Sequence, residues 1–158
     1  MIRAAIFGAL VACLAAGPAL ALSCRAPDVV RSYLDADASD DFYTVVLGRI
    51  TAGIPISSDF APRSGTRIAA RLRGRVLGPD GFARPYARSI QVQIGCAGAW
   101  CGNLPPQDRD VLVFLRHENG DRVLEVGPCP QWLFQNPDAE QVARVADCHT
   151  GGACDTDG

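Results

Sequence analysis

The residues best placed to do chemistry are cysteines. Seven occur, and six of them (Cys24, Cys96, Cys101, Cys129, Cys148 and Cys154) lie beyond an apolar N-terminal segment. Thiols serve redox exchange, metal binding or covalent bracing, and spacing separates these uses. Cys96-Ala-Gly-Ala-Trp-Cys101 departs from the Cys-x-x-Cys of a thioredoxin-type redox pair, so both residues read as bridging cysteines at a strand exit. Cys148, His149 and Cys154 form a short cluster of candidate metal ligands. In an oxidising compartment those thiols are consumed as a disulfide, so no metal ligand is assigned. An even set of thiols in an exported chain reads as three disulfides, with many connectivities open.

Catalytic constellations are sparse. The two histidines, His117 and His149, share no motif with a Ser or Cys nucleophile, and no G-x-S-x-G, H-E-x-x-H or phosphate loop occurs. Asp40-Asp41 and Asp108/Asp110 are carboxylate pairs, read as solvated loop residues. No catalytic residue and no cofactor are assigned, and no enzyme activity is expected. An unrecognised hydrolase would need a cleft uniting His117 or His149 with carboxylates. The arginines have more direction. Arg71, Arg73 and Arg75 alternate with Leu72, Gly74 and Val76, and between Arg63 and Arg88 the only acid is Asp80. Side by side on a strand, Arg71, Arg73 and Arg75 suit forked contacts with carboxylate or sulfate groups. The alternative is a solvated face balanced by the acidic flanks. Trp100 and Trp132 read as core plugs near the bridges.

The segment MIRAAIFGALVACLAAGPALA has one charge, Arg3, an apolar centre, a Gly17-Pro18 break and a small-x-small exit. It reads as a signal peptide, 1–21, cleaved after Ala21. Cleavage after Ser23 would make Cys24 the first residue, and Leu10-Val11-Ala12-Cys13 offers a minority lipoprotein reading anchored through Cys13. The chain is expected to be secreted or periplasmic, with no stable membrane insertion once the signal is removed. Cleavage leaves residues 22–158 as one domain, with a tail at 149–158 expected to be flexible. All 15 basic residues are Arg, set against 17 acids, so nothing suggests a nucleic-acid binder.

Periodicity supplies the elements that position these residues. A short helix is predicted after Cys24, with Pro27 at its first position and Val30, Tyr33 and Leu34 on one face. Strands are predicted at 42–50, 66–77, 89–94, 110–116 and 122–126, the fourth apolar enough to be buried on both sides. Gly74 inside the second suggests a bulge or bend. Residues 52–66 read as a loop, Gly78-Pro79-Asp80-Gly81 as a turn and Asn119-Gly120 as a tight hairpin. Asn136-Pro137-Asp138 caps a last helix running to about Asp147. Five evenly spaced strands with helices only at the ends suggest a small antiparallel barrel.

The order of these features resembles the netrin-like module, the OB-fold barrel of the tissue inhibitors of metalloproteinases. It runs from Cys24 and a short helix through Tyr43-Thr44-Val45-Val46-Leu47-Gly48-Arg49 to the Cys101-Gly102 pair. A strand at Asp110–Leu115, a hairpin, and Cys129 before a terminal helix follow. The resemblance covers roughly Cys24 to Cys148. It implies a five-stranded OB-fold-like barrel, mainly β, and a Cys24–Cys101 bridge. It would leave Cys96 to pair with Cys129, and Cys148 with Cys154. In the inhibitors a free N-terminal Cys chelates the target's zinc, which would make Cys24 an inhibitory N-terminus if it began the mature chain. Position 26 is Ala, where that family has a second Cys.

The resulting expectation is an exported, disulfide-stabilised, non-enzymatic binding module. Its partner would be a protein or an anionic ligand outside the cytoplasm. The alternative is a protease inhibitor acting through the Cys24 segment.

Overall fold

Alternation along the arginine-rich stretch persists in space, with Ile68, Ala70 and Leu72 buried and Arg67, Ala69, Arg71 and Arg73 exposed. The computed structural model describes residues 23–53 and 63–156. The signal segment with Cys13, and most of the expected 52–66 loop, lie outside the described residues.

The strands in chain order are β1 (Tyr43–Ala52), β2 (Arg67–Gly78), β3 (Gly81–Ile94), β4 (Cys96–Ala97), β5 (Trp100–Cys101), β6 (Val111–Glu118), β7 (Asp121–Val126) and β8 (Leu133–Gln135). Five close into a barrel in the order β1-β2-β3-β7-β6, with β6 pairing back onto β1, while β8 adds to the far side of β6. The barrel ladders are antiparallel except β3 with β7, which run parallel from Gln91↔Val123 to Ile94↔Val126. Closure gives each of these five strands a neighbour on both sides along part of its length, and leaves the outer edge of β3 before Gln91 unpaired.

Two apolar layers hold the barrel, and β6 belongs to both. Val111, Val113 and Leu115 point into the interior with Val46, Ile50, Leu72, Val92 and Leu124. Leu112 and Phe114 point outward to meet the helices. That double burial accounts for the unbroken apolar run of β6.

Helix α1 (Val29–Asp37) begins two residues later than its proline suggested. Asp28 is the N-cap, accepting from the backbone N–H groups of Val30 and Arg31, so Pro27 precedes the cap. Its buried face is Val29, Val30 and Ala36 with Tyr33 partly covered, while Leu34 turns out to solvent. Helix α2 (Ala139–His149) starts at Asp138 with a capping box closed by Gln141, as the Asn136-Pro137-Asp138 signal implied, and runs on to His149. Asn119 and Gly120 have φ of 49° and 90°, the left-handed pair of a type I′ hairpin.

Two strand expectations change. β3 begins at Gly81 rather than Ser89, because the β2–β3 ladder continues past the barrel to Gly78↔Gly81. Pro85 is tolerated there because the β7 pairing covers only Gln91–Ile94, so its other edge is unpaired. Gly74 is not a bulge. It faces Gly48 across β1–β2, and a Cβ on Gly74 would lie 2.1 Å from the Leu47 carbonyl oxygen, so this pair marks a close backbone approach. The register shift falls instead between Val76 and Gly78.

The bridges are Cys24–Cys129, Cys96–Cys101 and Cys148–Cys154. The last is as expected, but the Cys24–Cys101 and Cys96–Cys129 pairings implied by the resemblance are not made. The reason is local. The β4–β5 hairpin sets Cys96 directly opposite Cys101, with Cα atoms 4.0 Å apart, so each is the other's nearest thiol. Cys129, just beyond β7, is left facing the N-terminal segment, with Cα atoms 5.3 Å apart.

Candidate anion-binding surface

On β2 the sequence places Arg71, Arg73 and Arg75 at alternate positions, and the pleat turns all three outward. Their cross-strand neighbours on β1 are Thr51, Arg49 and Leu47; on β3 they are Ser89, Ala87 and Pro85. Arg49 and Arg73 are therefore like charges directly opposite, an arrangement that destabilises a sheet unless something compensates. Arg49 is compensated: its Nε donates to Asp110 at 2.7 Å, and that bond holds the Asp110 carboxyl below its ordinary range. Arg67 bonds Glu118 at 2.6 Å, lowering that carboxyl as well, and Arg116 gathers Glu118 and Glu125. Among the described residues, Arg71 and Arg73 have no carboxylate partner, and Arg75 reaches only the Ala83 carbonyl.

Arg73 and Arg75 line a groove of about 980 Å³ between the outer face of β1–β2 and the side of α2. The Gly48/Gly74 pair forms its floor, and Pro137, Val142 and Ala146 contribute an apolar wall. Arg71 lies beyond the groove, farther along β2. The structure thus joins two of the three candidate arginines in one concavity and leaves the third on the open sheet.

The remaining candidates separate. His117 lies in β6 opposite Arg122, and its Nε2 is 2.7 Å from the Thr44 hydroxyl. Burial, then the nearby Arg122 charge, lowers its pKa from the ordinary value. His149 closes α2 and meets the Tyr33 hydroxyl at 3.0 Å. It shares a cleft of about 450 Å³ with Asp37, Asp40, Asp41 and Ser39. That cleft does unite a histidine with carboxylates, yet the Ser39 hydroxyl is engaged by the Asp41 N–H and no hydrogen bond joins it to His149. Cys148 and Cys154 are joined to each other, so neither offers a thiolate to a metal.

The tryptophans part company. Trp132 is a plug, as expected, stacked on Tyr43 with centroids 4.9 Å apart and touching both core layers. Trp100 is not: it is 65% exposed on the hairpin closed by Cys96–Cys101, whose two-residue strands are too short to fold it back onto the barrel. Gly102 behind it is packed so closely that a Cβ would lie 2.0 Å from the Val126 carbonyl oxygen.

Cys24 is held beside that same end of the barrel. Ser23, Cys24, Arg25 and Ala26 are exposed, and the Cys24 bridge fixes them next to the strand exit after β7. Among the described residues no helix is long and apolar enough to cross a membrane.

No family model, curated protein or solved structure matches this chain.

Proposed function

We propose that this chain is an exported, disulfide-braced binding module of netrin-like type, and that its outward arginine row recognises an anionic partner. One observation carries the reading. Among the described residues, Arg71 and Arg73 stand exposed beside Arg49 and Arg75 with no carboxylate of their own, while Arg49, Arg67 and Arg116 are each tied to one. Asp110 neutralises Arg49, but Arg73 opposite it and Arg71 farther along β2 keep no acid among the described residues, which leaves them open to an external counter-charge. Guanidinium forks projecting from a rigid strand are preorganised for carboxylate or sulfate groups. The chain carries a net charge of −2, so retention by an anionic matrix would have to come from a local face.

The test is retention on immobilised heparin as a sulfate-rich probe. The native chain should be retained and eluted by salt, and Arg71→Ala/Arg73→Ala should flow through. Equal behaviour of the two would sink the reading.

A second reading, inhibition of a protease through the N-terminal segment, is favoured by the exposure of Ser23–Ala26 beside the rigid hairpin bearing Trp100. Zinc chelation by the Cys24 amino group requires Cys24 to be residue one. Intact mass of the exported protein decides this, since a chain starting at Leu22 rules out that chelation.

A further inference from the structure

The part of the β2–β3 hairpin that extends past the barrel turns Tyr86 and Arg88 to the same side, because they are two apart on β3. That side is opposite to the one bearing Arg71, Arg73 and Arg75. Elsewhere the inward positions of β3 are apolar (Ile90, Val92 and Ile94), so Tyr86 and Arg88 are where the core pattern stops and polar chemistry begins.

Together with Thr44 and the hairpin tip from Gly120 to Arg122, they line a cleft of about 800 Å³. That volume lies within the range of small-molecule sites and is far larger than a lone inorganic ion needs. The apolar part of the lining comes from Val76, Pro85 and Ala87.

Three features of the cleft point to one kind of guest. The Tyr86 hydroxyl is buried, and among the described residues it has no hydrogen-bond partner. Buried polar groups are nearly always paired, so an unpartnered O–H on a residue that lines a cleft is a donor lacking an acceptor. Arg88 has no carboxylate partner among the described residues, and Arg122 makes only long contacts of 3.4 and 3.5 Å to the carbonyls of Gly120 and Asp121. Tyr86, Arg88 and Arg122 line the same cleft, and burial raises the Tyr86 pKa while the Arg122 and Arg88 charges act to lower it. Asp121 is the one acid in the lining, and it forms no ion pair with either arginine.

We propose that this cleft is a second binding site, for a small organic carboxylate with an apolar body. The carboxylate accepts from the Tyr86 hydroxyl and from Arg88 and Arg122, and the body lies on Val76. The site is separate from the outer arginine row, and the two stand or fall independently.

Calorimetric titration of the full mature chain with benzoate and hexanoate tests it, with sodium sulfate as the inorganic control. Saturable binding of the organic acids is expected, with sulfate weaker than either. Tyr86→Phe should weaken binding about tenfold, the worth of one hydrogen bond to a charged group, and Arg122→Ala at least as much. Tyr86→Phe should leave thermal stability unchanged or raised, since it removes an unpaired buried hydroxyl, so lost binding would not reflect lost folding. Arg71→Ala/Arg73→Ala should bind both acids normally. Absence of saturable binding by the native chain, sulfate binding as tightly as benzoate, or unaltered affinity in Tyr86→Phe would each overturn the proposal.

Discussion

Cutting the Cys24–Cys129 bridge should be the most costly loss of covalent structure in this molecule. It closes a loop with a sequence separation of 105, against 5 for Cys96–Cys101 and 6 for Cys148–Cys154. Loop-closure entropy in the unfolded chain then gives about 4.7 kcal/mol for the long bridge and about 2 kcal/mol for either short one. Against a domain stability of about 5–15 kcal/mol, the first is a large share of the whole. The perturbation is Cys24→Ser/Cys129→Ser, with Cys96→Ser/Cys101→Ser as its partner. The assay is urea unfolding followed by the fluorescence of Trp132, which is stacked on Tyr43 and loses that environment on unfolding. With a urea slope of about 2 kcal/mol per molar, the long-bridge variant should lose about 2 M in midpoint and the short-bridge variant about 1 M. A short-bridge variant that loses as much as the long-bridge one would refute the reasoning. So would peptide mapping that recovers Cys24 linked to Cys101.

Three further outcomes follow from particular contacts. Gly102→Ala should destabilise by more than about 2 kcal/mol in the same unfolding assay, because its methyl group would meet the Val126 carbonyl oxygen and backbone must move. Asp138→Ala removes the capping box of α2 and should cost about 1 kcal/mol, visible as a lower thermal midpoint with no change in barrel signal. His117 has a folded pKa below its ordinary 6.5, so the unfolded chain takes up the proton more readily. Its contribution is whole above 6.5 and is lost as pH falls from there through the folded value. His117→Gln should flatten the stability-pH curve in that window, and an unchanged slope would remove His117 as its source.

The barrel was legible because its signals are periodic and local. Alternation in 66–77 and 89–94, the apolar run of β6 and the Asn119-Gly120 turn each have one good structural solution, and all are seen. Residues 81–88 were illegible as strand because Ala83, Pro85 and Ala87 mask the alternation, and only pairing with β2 holds them extended. The same extension carries Tyr86 and Arg88 to the second cleft, so missing the strand meant missing the site. An aromatic and an arginine continuing the parity of Ile90, Val92 and Ile94 were the signal that could have found it. Disulfide pairing was illegible for another reason. It depends on which thiol the hairpin after β3 brings opposite Cys96, and nothing in the spacing announces that β4 and β5 pair with each other. Trp100 followed its hairpin outward for the same cause. The outer arginine row was readable as a row, but its distinguishing feature was not. Only the structure shows that Arg49 takes Asp110 while Arg71 and Arg73 are left without an acid among the described residues.

That contrast between neutralised and unneutralised arginines is the core of the functional account. The measurement that tests it most directly is the equilibrium affinity of the native chain and of Arg71→Ala/Arg73→Ala for a sulfated oligosaccharide, at low and at physiological ionic strength. The account predicts salt-sensitive binding by the native chain and a loss of about tenfold in the variant, with much of the salt dependence gone. Equal affinity and equal salt dependence in the two proteins would contradict it.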